Sequence, residues 1–254
     1  MNMVKLLSPD FIVGKALVML RVFLNIGTLV LLHPSKRSFN LARLILRVKP
    51  TYTMVTSKNL ISLYNLVQKV DALDLPGDIV ECGVWNGGAS AFMGVAHREG
   101  NTPKPERAMW LFDSFQGLPP PSAKDGVIEQ KHYFEGLNKA TIDNVQNVFR
   151  RLHVALDNVH IVPGWFNQTL PNALIKDVAI LHIDADWYDS VKIVLDTLYD
   201  RVVPGGFIIL DDYGYWEGCD RALNDYFTDH AIKNVVLRRA DHTGAFFQKP
   251  LAVK

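Results

Sequence analysis

The sequence predicts an α/β protein built on a doubly wound, mostly parallel sheet. Three observations favour this class. From residue 78 onward, short apolar runs typical of strands alternate with runs that repeat at helical spacing. Acidic residues follow several of these apolar runs, at the sheet edge where α/β proteins collect their ligands. The chain has 254 residues, of which 48% are hydrophobic and 21% charged, and this suffices for one sizeable core.

Each predicted element follows from its local pattern. The predicted strands cover 78–84, 108–115, 158–166, 178–184, 207–213, 234–240 and 244–249. The predicted helices cover 89–100, 141–156, 189–202 and 219–230. Thr141 is the expected N-cap of the second of these helices, and Pro204-Gly205-Gly206 separates the third from the strand after it. The last two strands form a hairpin, which adds antiparallel strands at one edge of the sheet.

Residues 1–50 form a basic arm that differs from the rest of the chain. They contain eight Lys or Arg residues and one acidic residue. The apolar run 11–32 is interrupted by Lys15, Arg21 and Asn25, which argues against a membrane span. A signal peptide is not indicated either, because the run lacks a small-residue cleavage site. We predict a helical arm that docks on protein, either a partner subunit of a homo-oligomer or the flank of its own domain, with contact to a membrane surface as the alternative. The remaining domain is 51–254.

Composition excludes several classes of protein. Cys82 and Cys219 lie far apart and outside any Cys/His cluster, so neither a disulfide framework nor a structural zinc site is indicated. This favours a reducing, cytoplasmic setting, peripheral to a membrane if the arm contacts lipid. The basic residues lack the interleaved aromatic residues and motifs of nucleic-acid binding, so no nucleic-acid partner is expected.

The turn "ECGVWNGGAS" after the first strand indicates a nucleoside site without a phosphate. Its glycines permit close approach to a ligand, but their spacing differs from that of the dinucleotide fingerprint. Glu81 would repel a pyrophosphate and suits a positively charged ligand, such as the amino group of S-adenosylmethionine (SAM). Asp113 ends the second strand, where an acidic residue can accept hydrogen bonds from a ribose.

A second acidic group follows the fourth and fifth strands. Asp184 and the pair Asp211-Asp212 should converge at neighbouring strand ends, and neither motif contains a basic residue to neutralise them. Carboxylate oxygens of this kind suit Mg²⁺, Mn²⁺ or Ca²⁺ rather than zinc. His182 lies deeper on the same side of its strand and is expected to be a hydrogen-bonded core histidine.

Residues 52–249 resemble the macrocin-type (TylF/MycF/NovP) O-methyltransferases, a metal-dependent branch of the SAM methyltransferases that acts on sugar hydroxyls. The resemblance lies in "YTMVTSKNL", "GDIVECGVWNGGAS", "LFDSFQGLP", "GWFNQTLP", "LHIDADWYDS" and "VPGGFIILDDY". It implies a seven-stranded methyltransferase fold and a Mg²⁺ or Mn²⁺ ion held by Asp184, Asp211 and Asp212. The cofactor-binding positions that it implies are Glu81, Gly83, Val84, Gly87, Ser90, Asp113, Ser114, Phe115 and Trp165. Residues 1–50 match no motif of the family.

The resemblance implies methyl transfer from SAM to a sugar hydroxyl on a glycan or glycosylated natural product. It favours Asp184 as the base that removes the hydroxyl proton, with Asp186 and His132 as alternatives. Segment 116–140 is a lid or a disordered surface loop. Two other functions compete: a metal-dependent glycosyltransferase that uses the D-x-D motif Asp184-Ala185-Asp186, and a scaffold that keeps the fold without the chemistry.

Overall fold

A seven-stranded sheet covered by helices on both faces organises the chain, and the computed structural model describes residues 9–100 and 104–251. The strands are β1 (Asp78–Cys82), β2 (Met109–Asp113), β3 (Val159–Pro163), β4 (Val178–Ile183), β5 (Val202–Leu210), β6 (Arg238–Arg239) and β7 (Ala245–Gln248). The helices are α1 (Pro9–Leu32), α2 (Lys36–Val48), α3 (Ser57–Ala72), α4 (Gly88–Arg98), α5 (Val127–His132), α6 (Ile142–Arg151), α7 (Phe166–Thr169), α8 (Tyr188–Leu198) and α9 (Glu217–Asp229).

The strand order is β3-β2-β1-β4-β5-β7-β6. Strands β1 to β5 are parallel, while β7 is antiparallel to both β5 and β6. This confirms the predicted fold class, including the antiparallel hairpin at the C-terminal edge. The chain moves outward from β1 in one direction and from β4 in the other, so the switch in strand order lies between these two strands. Ligands of doubly wound sheets bind above such a switch.

The sheet separates two apolar cores. Val67 of α3, Phe92 of α4 and Phe149 of α6 are fully buried on one face, together with Ile79 of β1. On the other face, α8 and α9 pack against Leu181 and its neighbours on β4. Strands β1 and β4 are therefore covered on both sides, as expected for the centre of a parallel sheet. This burial holds the strand ends, and the side chains that follow them, in fixed positions.

Several predicted boundaries are wrong. Helix α8 ends at Leu198 rather than at residue 202, because Val202 pairs with Val178 and begins β5. A register shift between Val178 and Ile180 accommodates Pro204-Gly205-Gly206 inside the strand instead of before it. Strand β6 has only two residues, since the hairpin contacts β7 only at Arg238 and Arg239 rather than along 234–240.

The arm is helical where the structure describes it. Helix α2 starts after Ser35, whose hydroxyl accepts a hydrogen bond from the Ser38 backbone N–H, and α1 packs on α2 and α3. Ile45 and Val48 of α2 are fully buried in the same core as α3. None of the described helices combines the length and apolar character that crossing a membrane requires. Residues 1–8 of the predicted arm and 252–254 of the predicted domain lie outside the described residues.

Candidate active site

The turn between β1 and α4 packs against the end of β4. Gly83 has φ +90°, and a Cβ at this position would overlap the backbone carbonyl of Asp184. Gly87, at φ +81°, is the N-cap residue of α4, and the Gly88 N–H donates to the carbonyl of Tyr52. Glycine is therefore required for the close contact of two strand ends and an incoming loop. The backbone of this turn lies beside the residues that follow β4.

Asp113 at the end of β2 holds the turn in place. One carboxylate oxygen, Oδ2, accepts hydrogen bonds from the backbone N–H groups of Val84 and Trp85, both at 2.8 Å. The other, Oδ1, accepts from the Phe115 N–H at 2.6 Å. Trp85 and Phe115 have φ +47° and +53°, a conformation that is costly for large side chains. A carboxylate has about four acceptor positions, so one remains for a ligand.

Two adjoining cavities open above the switch in strand order. The larger has a volume of about 400 Å³ and is lined by Gly83, Asp113, Ser114, Trp165 and Ile193, among other residues. The smaller has a volume of about 310 Å³ and an aromatic wall. The residues common to both linings are Met54, Trp85, Leu118, Asn138, Asp184 and Asp186. Two molecules bound side by side would therefore meet at the carboxylates that follow β4.

Three carboxylates gather at the boundary of the two cavities: two belong to the shared wall, and the third, Asp212, lines the smaller cavity. Asp184, Asp186 and Asp212 each offer an oxygen, and these oxygens lie within 4.8 Å of one another. The backbone N–H of Asp186 also donates to Asp212 Oδ2 at 3.2 Å. Asp211, which the sequence placed in the metal site, lines the smaller cavity, and its Oδ1 accepts a hydrogen bond from Asn59 at 2.7 Å. Asp186, which the sequence places only as an alternative base, thus lies beside the predicted ligands.

Burial and mutual repulsion disfavour the charges of this cluster. Burial raises the pKa of Asp184 well above its usual range, and the neighbouring Asp211, Asp212 and Asp186 raise it further. The pKa of Asp212 rises for the same reasons. Burial raises the pKa of Asp186 to about 7, against a hydrogen bond that its Oδ1 accepts from Trp216 Nε1 at 2.8 Å. A divalent cation among these oxygens would remove the repulsion, so the donor set fits such an ion.

This electrostatic cost predicts how the stability of the metal-free protein depends on pH. The unfolded Asp186 has a pKa of about 3.9, whereas the folded one titrates near 7. Because the folded state keeps its proton longer, the free energy of unfolding should fall as the pH rises from about 4 to 7. Thermal melts across this range should show a smaller fall in Asp186→Asn than in the wild type. Equal falls in both proteins would contradict the assignment, and Asp196→Asn on the exposed face of α8 is the control.

Glu81 is buried beneath the turn and already has partners. One oxygen accepts from the Ser90 hydroxyl, and the other lies 2.9 Å from His182 Nδ1. Burial opposes a charge on His182, but its hydrogen bond to Glu81 raises the pKa of the imidazole. His182 is thus the core histidine that its position on β4 predicted. Glu81 still lines the floor of the smaller cavity, together with Val84.

The other predicted cofactor-binding residues divide into two groups. Gly83, Asp113, Ser114 and Trp165 line the larger cavity. Gly87, Ser90 and Phe115 are absent from the linings of both cavities in the part of the chain that the structure describes. Each of these three holds another part of the site in position: Gly87 is the N-cap residue of α4, the Ser90 hydroxyl donates to Glu81, and the Phe115 N–H donates to Asp113.

Segment 116–140 is a folded cover rather than a disordered loop. Asp125 Oδ1 accepts from the Tyr188 N–H at 2.7 Å, at the start of α8. Glu129 Oε1 accepts from the Gly218 N–H at 3.2 Å, near the start of α9. Both carboxylates are buried and face helix N-termini, which favour negative charge. His132 lies over Trp216, with ring centroids 5.6 Å apart, and lines the smaller cavity.

Some residues of the site carry no recognisable signal in the sequence. Asn59 arrives from α3 and bonds Asp211, and Asn138 arrives from the cover. Lys49, which is 9% exposed, donates from Nζ to the carbonyl of Met54 at 2.9 Å. Burial lowers the pKa of Lys49 to about 8, although the nearby Asp211 and Asp184 favour its charge. Trp85 lies within the motif "ECGVWNGGAS", so its position in the sequence could have identified it as a residue of the site.

Comparison with known proteins identifies relatives of this fold and site. The sequence pattern of the Macrocin-O-methyltransferase (TylF) family matches residues 44–249. The chain is 36% identical over 205 residues to the 8-demethyl-8-(2,3-dimethoxy-alpha-L-rhamnosyl)-tetracenomycin-C 4'-O-methyltransferase of Streptomyces olivaceus, covering 79% of this chain and 77% of that protein. It is 32% identical over 203 residues to the Mycinamicin III 3''-O-methyltransferase of Micromonospora griseorubida, covering 78% of each.

Among solved structures, the O-methyltransferase NovP is similar over 93% of this chain and 99% of its own, with a TM-score of 0.71 and 30% identity. Because these relatives are O-methyltransferases, methyl transfer is favoured over the two alternatives, a glycosyltransferase and a scaffold without catalytic activity. Family match, sequence identity and fold agree with the resemblance seen in the motifs. The chain therefore belongs to the macrocin-type (TylF) family and is a SAM-dependent O-methyltransferase.

Proposed function

We propose that this enzyme methylates a hydroxyl group of a sugar, on a glycan or a glycosylated natural product, with the help of Mg²⁺ or Mn²⁺. The observation that carries the proposal is the acidic cluster at the boundary of the two cavities, where carboxylate oxygens of Asp184, Asp186 and Asp212 lie within 4.8 Å of one another. The Streptomyces olivaceus relative is named as a 4'-O-methyltransferase of a compound that carries a rhamnosyl group. A sugar hydroxyl ionises far above neutral pH, so its deprotonation calls for a general base and a Lewis acid, which a carboxylate and a cation in this cluster would supply.

The larger cavity is the proposed SAM site. SAM supplies the methyl group on a sulfonium centre. Asp113 has acceptor capacity left for a ribose hydroxyl after its three backbone hydrogen bonds. Trp165 and Ile193 offer apolar surface for the adenine, and the backbone at Gly83 permits close approach. This arrangement would direct the reactive end of the cofactor toward Asp184, at the boundary with the smaller cavity.

The cation site would consist of Asp184, Asp211 and Asp212. A bound Mg²⁺ or Mn²⁺ acts as a Lewis acid and favours the ionised form of a hydroxyl group. Asn59 orients Asp211 by donating to its Oδ1, and Asp211 lines the smaller cavity. A hydrogen-bonded partner of this kind is usual behind a metal-binding carboxylate.

Asp186 is the proposed base, a role that the resemblance had favoured for Asp184. Asp184 and Asp186 both border the two cavities, but lone pairs of Asp184 that hold a cation are less available for a proton. In the metal-free protein burial raises the pKa of Asp186 to about 7, and a cation on the neighbouring carboxylates would lower it. Trp216 Nε1 fixes one oxygen of Asp186, and φ +53° turns the residue out of the line of β4. Asp186 would therefore take the proton as the hydroxyl oxygen bonds to the methyl carbon, while the S–CH₃ bond breaks and S-adenosylhomocysteine leaves.

The smaller cavity is the proposed acceptor site. Its lining includes Trp187, Trp216 and Tyr215, together with His132 from the folded cover. Flat aromatic faces with a few polar groups suit the C–H faces and hydroxyls of a sugar ring. The cover closes this side of the site and would exclude water from the reacting atoms.

Transfer of a labelled methyl group from SAM tests this function. We expect product with glycosylated acceptors and none with the same compounds after removal of the sugar. A chelator should abolish turnover, and Mg²⁺ or Mn²⁺ should restore it. Methylation of the sugar-free compounds alone would refute the sugar acceptor, and full turnover in the chelated enzyme would refute the role of the cation.

A further inference from the structure

The N-terminal helices present a surface that the methyl-transfer site does not explain. Helix α1 covers the core with one side and leaves large apolar side chains exposed on the other. The exposed residues are Leu17, Leu20, Phe23, Leu24, Leu31 and Leu32. Leu20 and Leu24 are 54% and 63% exposed, and Leu31 is 81% exposed. Helix α2 adds Phe39 and Leu46. We call the exposed side chains of α1 and α2 the arm surface. Contiguous apolar surface of this kind marks a contact with a partner or a membrane.

The charge of the same region is one-sided. Residues 11–70 contain nine Lys or Arg residues and no Asp or Glu. On α2, the basic side chains Lys36, Arg43 and Arg47 are exposed and alternate with the exposed apolar residues. Arg21 is exposed on α1. Apolar and cationic side chains are thus interspersed over the arm surface, which is the composition of helices that lie in a membrane interface.

A basic groove adjoins this surface. It has a volume of about 670 Å³ between α2, α3 and α4, and its basic lining residues are Lys36, Arg37, Arg43, Arg47 and Arg98. Arg37 donates to the side chains of Asn65 and Gln68, and Arg98 donates to the carbonyls of Leu152 and His153. These bonds fix the guanidinium groups, and each retains further N–H donors. Glu99 is the single acidic member of the lining.

Charge complementarity decides between a second copy and a lipid surface. In a two-fold symmetric dimer the same patch faces itself. The arm surface would then bring basic residues of one copy against basic residues of the other, and the sequence of α1 and α2 contains a single acidic residue, Asp10, to compensate. An anionic bilayer supplies phosphate groups for the basic side chains and an acyl layer for the leucines and phenylalanines. An anionic bilayer therefore matches both the positive charge and the apolar side chains of the arm surface.

We propose that the arm surface binds the surface of an anionic lipid bilayer. Helix α1 lies parallel to the membrane with its exposed leucines in the acyl boundary. The basic groove and the exposed arginines of α2 contact lipid phosphates. The enzyme thereby works at a membrane surface, and acceptors that carry a lipid or partition into the bilayer reach it at raised local concentration.

Cosedimentation of the full chain with vesicles tests this inference. We expect binding to phosphatidylcholine vesicles that contain about 30% phosphatidylglycerol, and at least about tenfold weaker binding to phosphatidylcholine alone. Binding should weaken as salt rises from about 0.1 M to about 1 M, because the Debye length shortens. Lys36→Glu with Arg43→Glu should lower binding about tenfold or more, and Leu20→Asp with Leu24→Asp should abolish it. All four positions are exposed, and thermal melts check that the variants fold.

Matched controls lie elsewhere on the surface. Lys176→Glu with Lys233→Glu makes the same charge change, and Leu174→Asp, at a side chain that is 89% exposed, makes a comparable apolar-to-acidic change. These variants should bind vesicles like the wild type. Equal binding to neutral and anionic vesicles, or no binding by the full chain, would overturn the proposal. A dimer in light scattering that dissociates in Leu20→Asp with Leu24→Asp would assign the surface to a second copy instead.

Discussion

Asp184→Asn is expected to lower kcat by at least about a hundredfold, by analogy with the loss of a transition-state stabiliser. Asp184 belongs to both cavities and to the gathered carboxylates, so it stands where cofactor, acceptor and cation would meet. The amide keeps the size of the side chain but removes the negative charge that a divalent cation needs. Steady-state kinetics at saturating Mg²⁺ measure the loss. SAM affinity, measured by calorimetry, should change by much less, because Asp113 and Trp165 remain.

Two companion variants separate the roles within the cluster. Asp196→Asn on the exposed face of α8 should leave kcat unchanged and serves as the control for a charge loss. Asp186→Asn should lower kcat with a smaller rise in the Mg²⁺ concentration at half-maximal activity than Asp184→Asn or Asp212→Asn should cause. If kcat and its metal dependence are retained in Asp184→Asn, the carboxylate cluster serves folding rather than transfer.

The fold and most of the acidic site could be predicted because they follow from strand periodicity. Apolar runs fix β1, β2, β4 and β5, and parallel strands bring their carboxyl ends to one edge of the sheet. Residues that follow different strands are therefore predicted to lie close together, even where more than a hundred residues separate them in the sequence. Asp184 and Asp211 were expected at adjacent strand ends, and β4 does pair with β5.

The position of Asp186 could not be predicted, because it depends on a backbone angle. If β4 continued as an extended strand, the side chain of Asp186 would point to the same face as that of Asp184, two residues further along the strand. Instead, φ +53° folds the chain back, and the Asp186 N–H reaches Asp212. Asn59 and Lys49 were missed for another reason. Asn59 lies in α3 and Lys49 directly follows α2, both before the first strand. Helical periodicity in this part of the chain indicates which side chains are buried but not which residues they contact.

Asp113→Asn is expected to weaken SAM binding about tenfold or more, the equivalent of one charge-assisted hydrogen bond of about 1.5 kcal/mol or more. Asp113 is the acidic residue that ends β2 and lines the larger cavity. In the asparagine variant, the remaining oxygen can still accept from the backbone of the turn, but the charge that favours a ribose hydroxyl is gone. Calorimetric titration with SAM measures the change in Kd.

Asp113→Ala should have a larger effect for two combined reasons. It removes the ribose acceptor and also leaves the N–H groups of Val84, Trp85 and Phe115 without their carboxylate, so the turn itself should loosen. Thermal melts distinguish these causes, since Asp113→Ala should lower the melting temperature more than Asp113→Asn. Asp78→Asn is the matched control: its carboxylate accepts from the Ala108 N–H and Trp110 Nε1 at the opposite end of the sheet. That variant should lose stability and keep its SAM affinity. Equal Kd values for wild type and Asp113→Asn would remove Asp113 from the cofactor site and leave it a purely structural role in the turn.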